Sequence, residues 1–229
     1  MAETLHMDVK ELFLWNCRGD LLHCTSDGCT TVSVGSLSGG RVVAHNEDGD
    51  PFLYQRSKLV DVRPTDSAGF ISFTYPGSLV GHSFAASRTG FVQTINNLRI
   101  RSNPTDSSTK VPRMFLARQT LSCSSLQEAV DLIRTTTTMG GFHYTLCGRG
   151  AEIHEVRMVS VESTGVACTV VEEDASVFVH TNHTVHPSSS DSDIRATEIV
   201  TDNSYERYVS ALNILSECEL GPSHNVRLD

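Results

Sequence analysis

No stretch of the 229-residue sequence approaches the ~20 apolar residues that a membrane span requires. The first residues, MAETLHMDVKEL, mix charges early and contain no apolar core, so no signal peptide is expected. Lysine and arginine form no cluster. With 27 acidic against 18 basic side chains and a net charge of −9, the electrostatic footprint of a nucleic-acid binder is missing. No two of the seven cysteines stand in C-x-x-C spacing, which excludes a zinc ribbon. Their odd number fits reduced thiols in a cytoplasmic protein better than paired cystines. Internal repeats and low-complexity linkers are also lacking. The length suits one large domain with a substantial core.

What is present is a change of period along the chain. Residues 32–34 and 41–44 read as strands about a turn at Ser38-Gly39-Gly40. Residues 58–62, 69–75 and 91–95 are further β-rich runs. The spacing of Met114, Leu116, Ala117 and Leu121 after Pro112 predicts a helix. Ser125 and Glu128 form a capping-box pattern before Leu126, Ala129, Val130 and Ile133, with Gly140-Gly141 as the stop. Strands are expected again over 142–147, 152–156, 166–171 and 177–182. The Ser-rich stretch 187–193 reads as a loop, and a last helix is expected from Ser204 as N-cap. Strands, two helices, then strands make an α+β layered domain.

Four short motifs carry candidate chemistry. In Asp27-Gly28-Cys29-Thr30-Thr31, Cys29 reads either as a small buried apolar residue or as a nucleophile. In the second reading the thiol attacks the carbonyl of Gly28, which has no side chain to block it. Cutting the Gly28–Cys29 bond would free an α-amine with a reference pKa of about 7.7–8.0, near enough to the thiol's to serve as its base. In His45-Asn46-Glu47-Asp48, Asp48 either belongs to a solvated turn or orients the Cys29 amine. Asn96, in Thr94-Ile95-Asn96-Asn97, is a turn residue or a donor facing a developing oxyanion. In Val179-His180-Thr181-Asn182-His183, Asn182 is the better oxyanion donor. His180, His183 and His186 invite a metal reading, but residues three apart on a strand face opposite ways, so no metal is expected. The sequon Asn182-His183-Thr184 has no function without a secretory route. A papain-like pairing of a cysteine with His143 or His180 lacks the residues expected around Cys29.

DGCTT, the NED ending nineteen residues past the cysteine, GFVQTINNL and VHTNH occur in that order. Together they resemble the acyl-coenzyme A:6-aminopenicillanic-acid acyltransferase family, peptidase family C45, which includes β-alanyl-amine hydrolases. The resemblance covers roughly residues 12 to 215. It implies an amino-terminal-nucleophile (Ntn) hydrolase with an αββα sandwich. Residues 1–28 would be a propeptide-like segment and 29–229 the core, with both ends shorter than in family members. It further implies Cys29 as nucleophile, Gly28–Cys29 as the cut bond, and Asp48, Asn96 and Asn182 as catalytic partners. Asp202 to Arg207 resembles the helix start that follows the HTNH motif, and His180 and Arg207 are assigned to substrate binding. A late arginine of the family is left unassigned.

The implied activity is hydrolysis of N-acyl amines such as β-alanyl-dopamine or carcinine, with no cofactor and no metal. The implied partners are a small-molecule substrate, in the transferase alternative an acyl-CoA, and the two chains of the cut protein for one another. Neither nucleic acid nor membrane is expected as a partner. An uncut, inactive binding protein is the remaining alternative.

Overall fold

The computed structural model describes residues 2–21, 28–35, 40–101, 110–150, 155–165, 167–186 and 197–220. Helices α1 (Ala2–Leu5) and α2 (Val9–Leu21) precede strands β1 (Gly28–Gly35) and β2 (Arg41–Asp48). Then come β3 (Lys58–Val62), β4 (Phe70–Thr74), β5 (Ala85–Ser87) and β6 (Phe91–Leu98). Helices α3 (Arg113–Thr120) and α4 (Leu126–Thr135) follow. The chain continues through β7 (Gly141–Arg149), β8 (Val156–Ser163), β9 (Cys168–Glu172) and β10 (Val177–His180) to α5 (Asp202–Leu220). The fold is α+β. A small sheet has the order β10-β1-β2, a larger one runs β3-β4-β5-β6-β7-β8-β9, and every pairing is antiparallel. None of the described helices is long and apolar enough to cross a membrane.

Period-two alternation sorts the side chains of the central strands between two different environments. Phe142, Tyr144 and Leu146 of β7 and Val159 and Val161 of β8 join Leu116, Ala117, Leu126, Ala129 and Ile133 in the main apolar core. Helix α4 packs on β7, β8 and β9 there. Each fully buried Leu or Ile contributes about 1.5–3 kcal/mol, so this layer carries most of the hydrophobic stabilisation. The opposite faces of the same strands meet the small sheet, where β1 packs on β6. That seam is polar: Thr31, Thr94, Asn96, His143, Ser160 and His180 are all buried in it. Helix α5 lies against the outer face of β1 and β10.

Several elements depart from the sequence reading. Residues 151–154 lie outside the described part, and β8 begins at Val156, at the end of the expected 152–156 strand. One face of β8 carries Ser160 and Glu162 into the polar seam, so its burial left no clean apolar alternation to read. Helix α4 stops at Thr135, before the Gly140-Gly141 stop. The hydroxyls of Thr135 and Thr136 bond back to the carbonyls of Asp131 and Leu132 and end the ladder early. Ser125 caps α4 through its Oγ as expected, but the Glu128 carboxylate returns to Ser124 instead. Helix α5 begins before Ser204, because Thr201 supplies the cap: its Oγ1 accepts from the Ser204 amide at 3.3 Å. The expected turn at 38–40 and loop at 187–193 fall largely or wholly outside the described residues.

Candidate active site

The β1–β2 register sets the site. Cys29 stands opposite Glu47, Thr31 opposite His45, and Gly28 opposite Asp48. Directly opposed residues share a face. Cys29, Thr31, His45 and Glu47 therefore turn toward the larger sheet, while Thr30, Asn46 and Asp48 belong to the face that carries α5. Thr31 Oγ1 touches Thr94 and Asn96 of β6, and Thr30 Oγ1 accepts from Arg207 of α5.

The Cys29 backbone is held at both of its polar atoms. Its amide nitrogen donates to Asn182 Oδ1 at 2.9 Å. Its carbonyl oxygen accepts from Arg207 Nη1 at 2.7 Å. Arg207 Nη2 donates to the same Asn182 Oδ1 at 2.6 Å, and its Nε bonds Asn203 at 2.9 Å. Burial lowers the Arg207 pKa, opposed by the nearby charge of Asp48. Asn182 is fixed in turn. Its backbone amide donates to Ser204 Oγ at 2.9 Å, and its Nδ2 donates to the Asn97 carbonyl at 3.0 Å. A Cβ added to Gly28 would meet Arg207 Nη2 at 2.8 Å and Asp48 Oδ2 at 2.9 Å, so any larger residue would have to displace one of these side-chain ends.

On the inner face, Glu47 Oε2 lies 3.2 Å from His45 Nε2 and accepts from Ser83 Oγ. Burial raises the Glu47 pKa, but the hydrogen bonds from His45 and Ser83 and the charges of His45 and His82 outweigh it and hold the group below its ordinary value. Burial pushes the His82 pKa down. A donor atom of each of Cys29, His45 and Glu47 lies within 4.8 Å of the other two.

Cys29 opens into a cavity of about 70 Å³, bordered by Glu47, His82, Asn97, Arg113 and, from α2, Arg18 and Gly19. That is room for a few water molecules. Helix α2 is anchored beside it. Arg113 Nη2 donates to the Gly19 carbonyl at 2.8 Å, and its Nε lies 3.4 Å from Asp20 Oδ1. Asn16 Oδ1 accepts from the Leu79 amide at 2.6 Å. Burial raises the Asp20 pKa, opposed by Arg113.

Of the residues expected from sequence, Cys29, Gly28, Asn182 and Arg207 come together at one spot. Asp48 flanks Gly28 from the α5 face and accepts from Asn46 Nδ2. Asn96 lies one step into the seam. Its Oδ1 accepts from Thr31 at 2.8 Å, its Nδ2 faces the His180 carbonyl at 3.4 Å, and its neighbour Asn97 borders the cavity instead. His180 is buried away from the cavity, its Nε2 3.0 Å from Glu162 and its ring stacked on His143 at 3.4 Å. His183 bonds Ser204 and His186 bonds Ser160, so the three imidazoles go to separate partners.

Residues 37–226 match the family model described as acyl-coenzyme A:6-aminopenicillanic acid acyl-transferase. The chain belongs to this acyltransferase family. Cys29 stands just before the matched stretch, while Asp48, Asn96, Asn182 and Arg207 lie inside it. A search among curated proteins found no match. Family membership makes acyl transfer or hydrolysis on small molecules the broad activity.

Sequence reasoning passed over four residues of this acyltransferase-family site: His45, Glu47, Ser204 and Arg113. The first two could have been found by counting. A hairpin pairing Gly35 with Arg41 puts Glu47, not Asp48, opposite Cys29. Ser204 was marked only as a helix start, with no sign of its bond to Asn182, and Arg113 is brought in by tertiary packing and had no local signal.

Proposed function

We propose that this chain is an amino-terminal-nucleophile amidase that cuts its own Gly28–Cys29 bond and then uses Cys29 to hydrolyse N-acyl amines, β-alanyl amines among them. One observation carries the reading: the Cys29 amide nitrogen and carbonyl oxygen are both held by the Asn182–Arg207 pair. After the cut, that nitrogen becomes the α-amine, still positioned by Asn182. It takes the thiol proton as Cys29 attacks the substrate carbonyl, and returns it to the leaving amine. An amide nitrogen carries two N–H donors. Asn182 Nδ2 spends one on Asn97, which leaves the other to stabilise the tetrahedral oxyanion. Water then opens the acyl-enzyme. Asp48 acts beside Arg207 on the outer face, and Asn96 acts indirectly by fixing Thr31.

The α+β layering supports this reading and fits the αββα sandwich we propose: α5 lies against the small sheet, β1 packs on β6 of the larger sheet, and α3 and α4 join the core on that sheet's other side. Arg18 and Gly19 of α2 border the space beside Cys29, and displacement of that helix after the cut would widen the site for a substrate. The family description favours a second reading, in which an amine rather than water receives the acyl group from an acyl-CoA.

The test is intact mass and amino-terminal sequencing of the purified chain, with β-alanyl-histamine and acyl-CoA supplied separately. Two fragments, one beginning CTTVSVG, are expected from the wild type. Cys29→Ala is expected to stay whole and to release no amine. Fragments from Cys29→Ala would rule out the nucleophile assignment.

A further inference from the structure

We infer that Cys29, His45 and Glu47 form a binding site for a zinc-class divalent cation, which blocks the thiol when bound. The observation behind this is geometric: donor atoms of the three residues lie within 4.8 Å of one another, and Thr31 fixes which nitrogen of His45 faces the other two. Its hydroxyl has a single proton. Asn96 Oδ1, 2.8 Å away, can only accept. The orientation of that amide is fixed, because its Nδ2 end faces the His180 carbonyl. Thr31 therefore gives its proton to Asn96, and its oxygen accepts from His45 Nδ1, 2.9 Å away. With Nδ1 carrying a hydrogen, His45 turns its Nε2 toward Glu47 Oε2 at 3.2 Å. A bare imidazole nitrogen and a carboxylate oxygen repel at that distance. A proton shared between the two, or a metal ion, relieves that repulsion.

Cys29 Sγ supplies the third ligand, within the same 4.8 Å cluster. Sulfur and imidazole nitrogen select zinc over magnesium or calcium. Zinc bonds of about 2.0–2.3 Å would draw the widest pair together by roughly an ångström. Outer contacts of the usual kind are already present, with Thr31 on His45 Nδ1 and Ser83 on Glu47. Three protein ligands leave a fourth position open toward the small cavity. Arg18 and Arg113 border that cavity, so the thiolate and carboxylate charges are both needed to hold the ion. On binding, the metal replaces the thiol proton and the Nε2 proton. Both protons pass to the buffer, and no electron moves. The ligands are the same in a cut or an uncut chain, so the site does not depend on self-cleavage.

The experiment is titration of chelator-stripped full-length protein with cobalt(II), followed by competition with zinc. Wild type is expected to bind a single cobalt with a thiolate-to-metal charge-transfer band, and zinc to abolish the band. Cys29→Ala is expected to lose the band. His45→Ala and Glu47→Gln are each expected to weaken binding roughly tenfold or more. Circular dichroism checks the fold, and the near-isosteric Glu47→Gln decides the matter if His45→Ala is misfolded. No band in wild type at equimolar cobalt, a band that persists in Cys29→Ala, or wild-type affinity in Glu47→Gln would each overturn the site.

Discussion

Arg207 donates from Nη1 to the carbonyl oxygen of Cys29 at 2.7 Å, across a sequence separation of 178 residues. The same guanidinium reaches Thr30 Oγ1 and Asn182 Oδ1, so one planar fork ties α5 to the start of β1 and to the residue after the HTNH threonine. Lysine has the charge but not the fork. Arg207→Lys is therefore expected to lose about 2–3 kcal/mol of stability, the scale of charged hydrogen bonds. It is also expected to lose most of any turnover. Chemical denaturation and amine release under identical conditions measure the two effects.

Gly28→Ala tests the space at the proposed cut. The new methyl would stand within 3 Å of Arg207 Nη2 and Asp48 Oδ2, so one of them has to move. A destabilisation of about 1–3 kcal/mol is expected from this overpacking. Because the nearer group, Arg207, also holds Cys29, fragments should accumulate more slowly than in wild type. A time course of intact mass reads this, and unchanged kinetics would contradict it.

Glu47 gives a pH dependence with a definite sign. Its folded pKa is lowered, so its ionised form stabilises the fold. That contribution is complete above the unfolded value of about 4.3 and is lost as the pH falls through the lower folded value. Glu47→Gln lacks it at every pH. The stability gap between wild type and variant should be widest near neutrality and close in acid. Urea midpoints at neutral pH and near pH 3 check this, and a gap independent of pH would count against it.

Tyr144 lies fully buried in the main core, with no hydrogen bond to its hydroxyl among the described residues. Burial raises its pKa, so it stays a neutral phenol. Leaving such a group unsatisfied costs about 1–3 kcal/mol, and phenylalanine removes the cost while keeping the ring. Tyr144→Phe should match or exceed wild-type stability by up to about 1 kcal/mol in thermal unfolding.

How much of this was legible beforehand varies by element. Helix α4 had a full apolar face and a serine cap, and its start is where the pattern put it. Strand β6 was readable because Thr89-Gly90 opens it and Phe91 to Ile95 alternates apolar with other residues well enough, although both of its faces prove largely buried. Strand β8 was not, because both of its faces are buried and one of them is polar. The α+β class and the family followed from motifs whose order survives any error in boundaries. At the site, Cys29, Asn182 and Arg207 were each named in advance, but the contacts of Arg207 with the Cys29 carbonyl were not. They depend on where α5 docks, which no local pattern encodes. The Glu47–Cys29 opposition lay one residue away from the expected Asp48, and on a strand one residue is a change of face.

The polar seam between the sheets has a consequence for chain ends. New termini ordinarily fray, because nothing holds their first residues. A cut at Gly28 would create a terminus whose first residue is held by Asn182 and Arg207. Its third residue, Thr31, is bonded to His45 within the small sheet and across the seam to Thr94 and Asn96. Directional bonds of this kind weaken steeply once bent, so the freed end would keep its place, and it would melt only when the two sheets part.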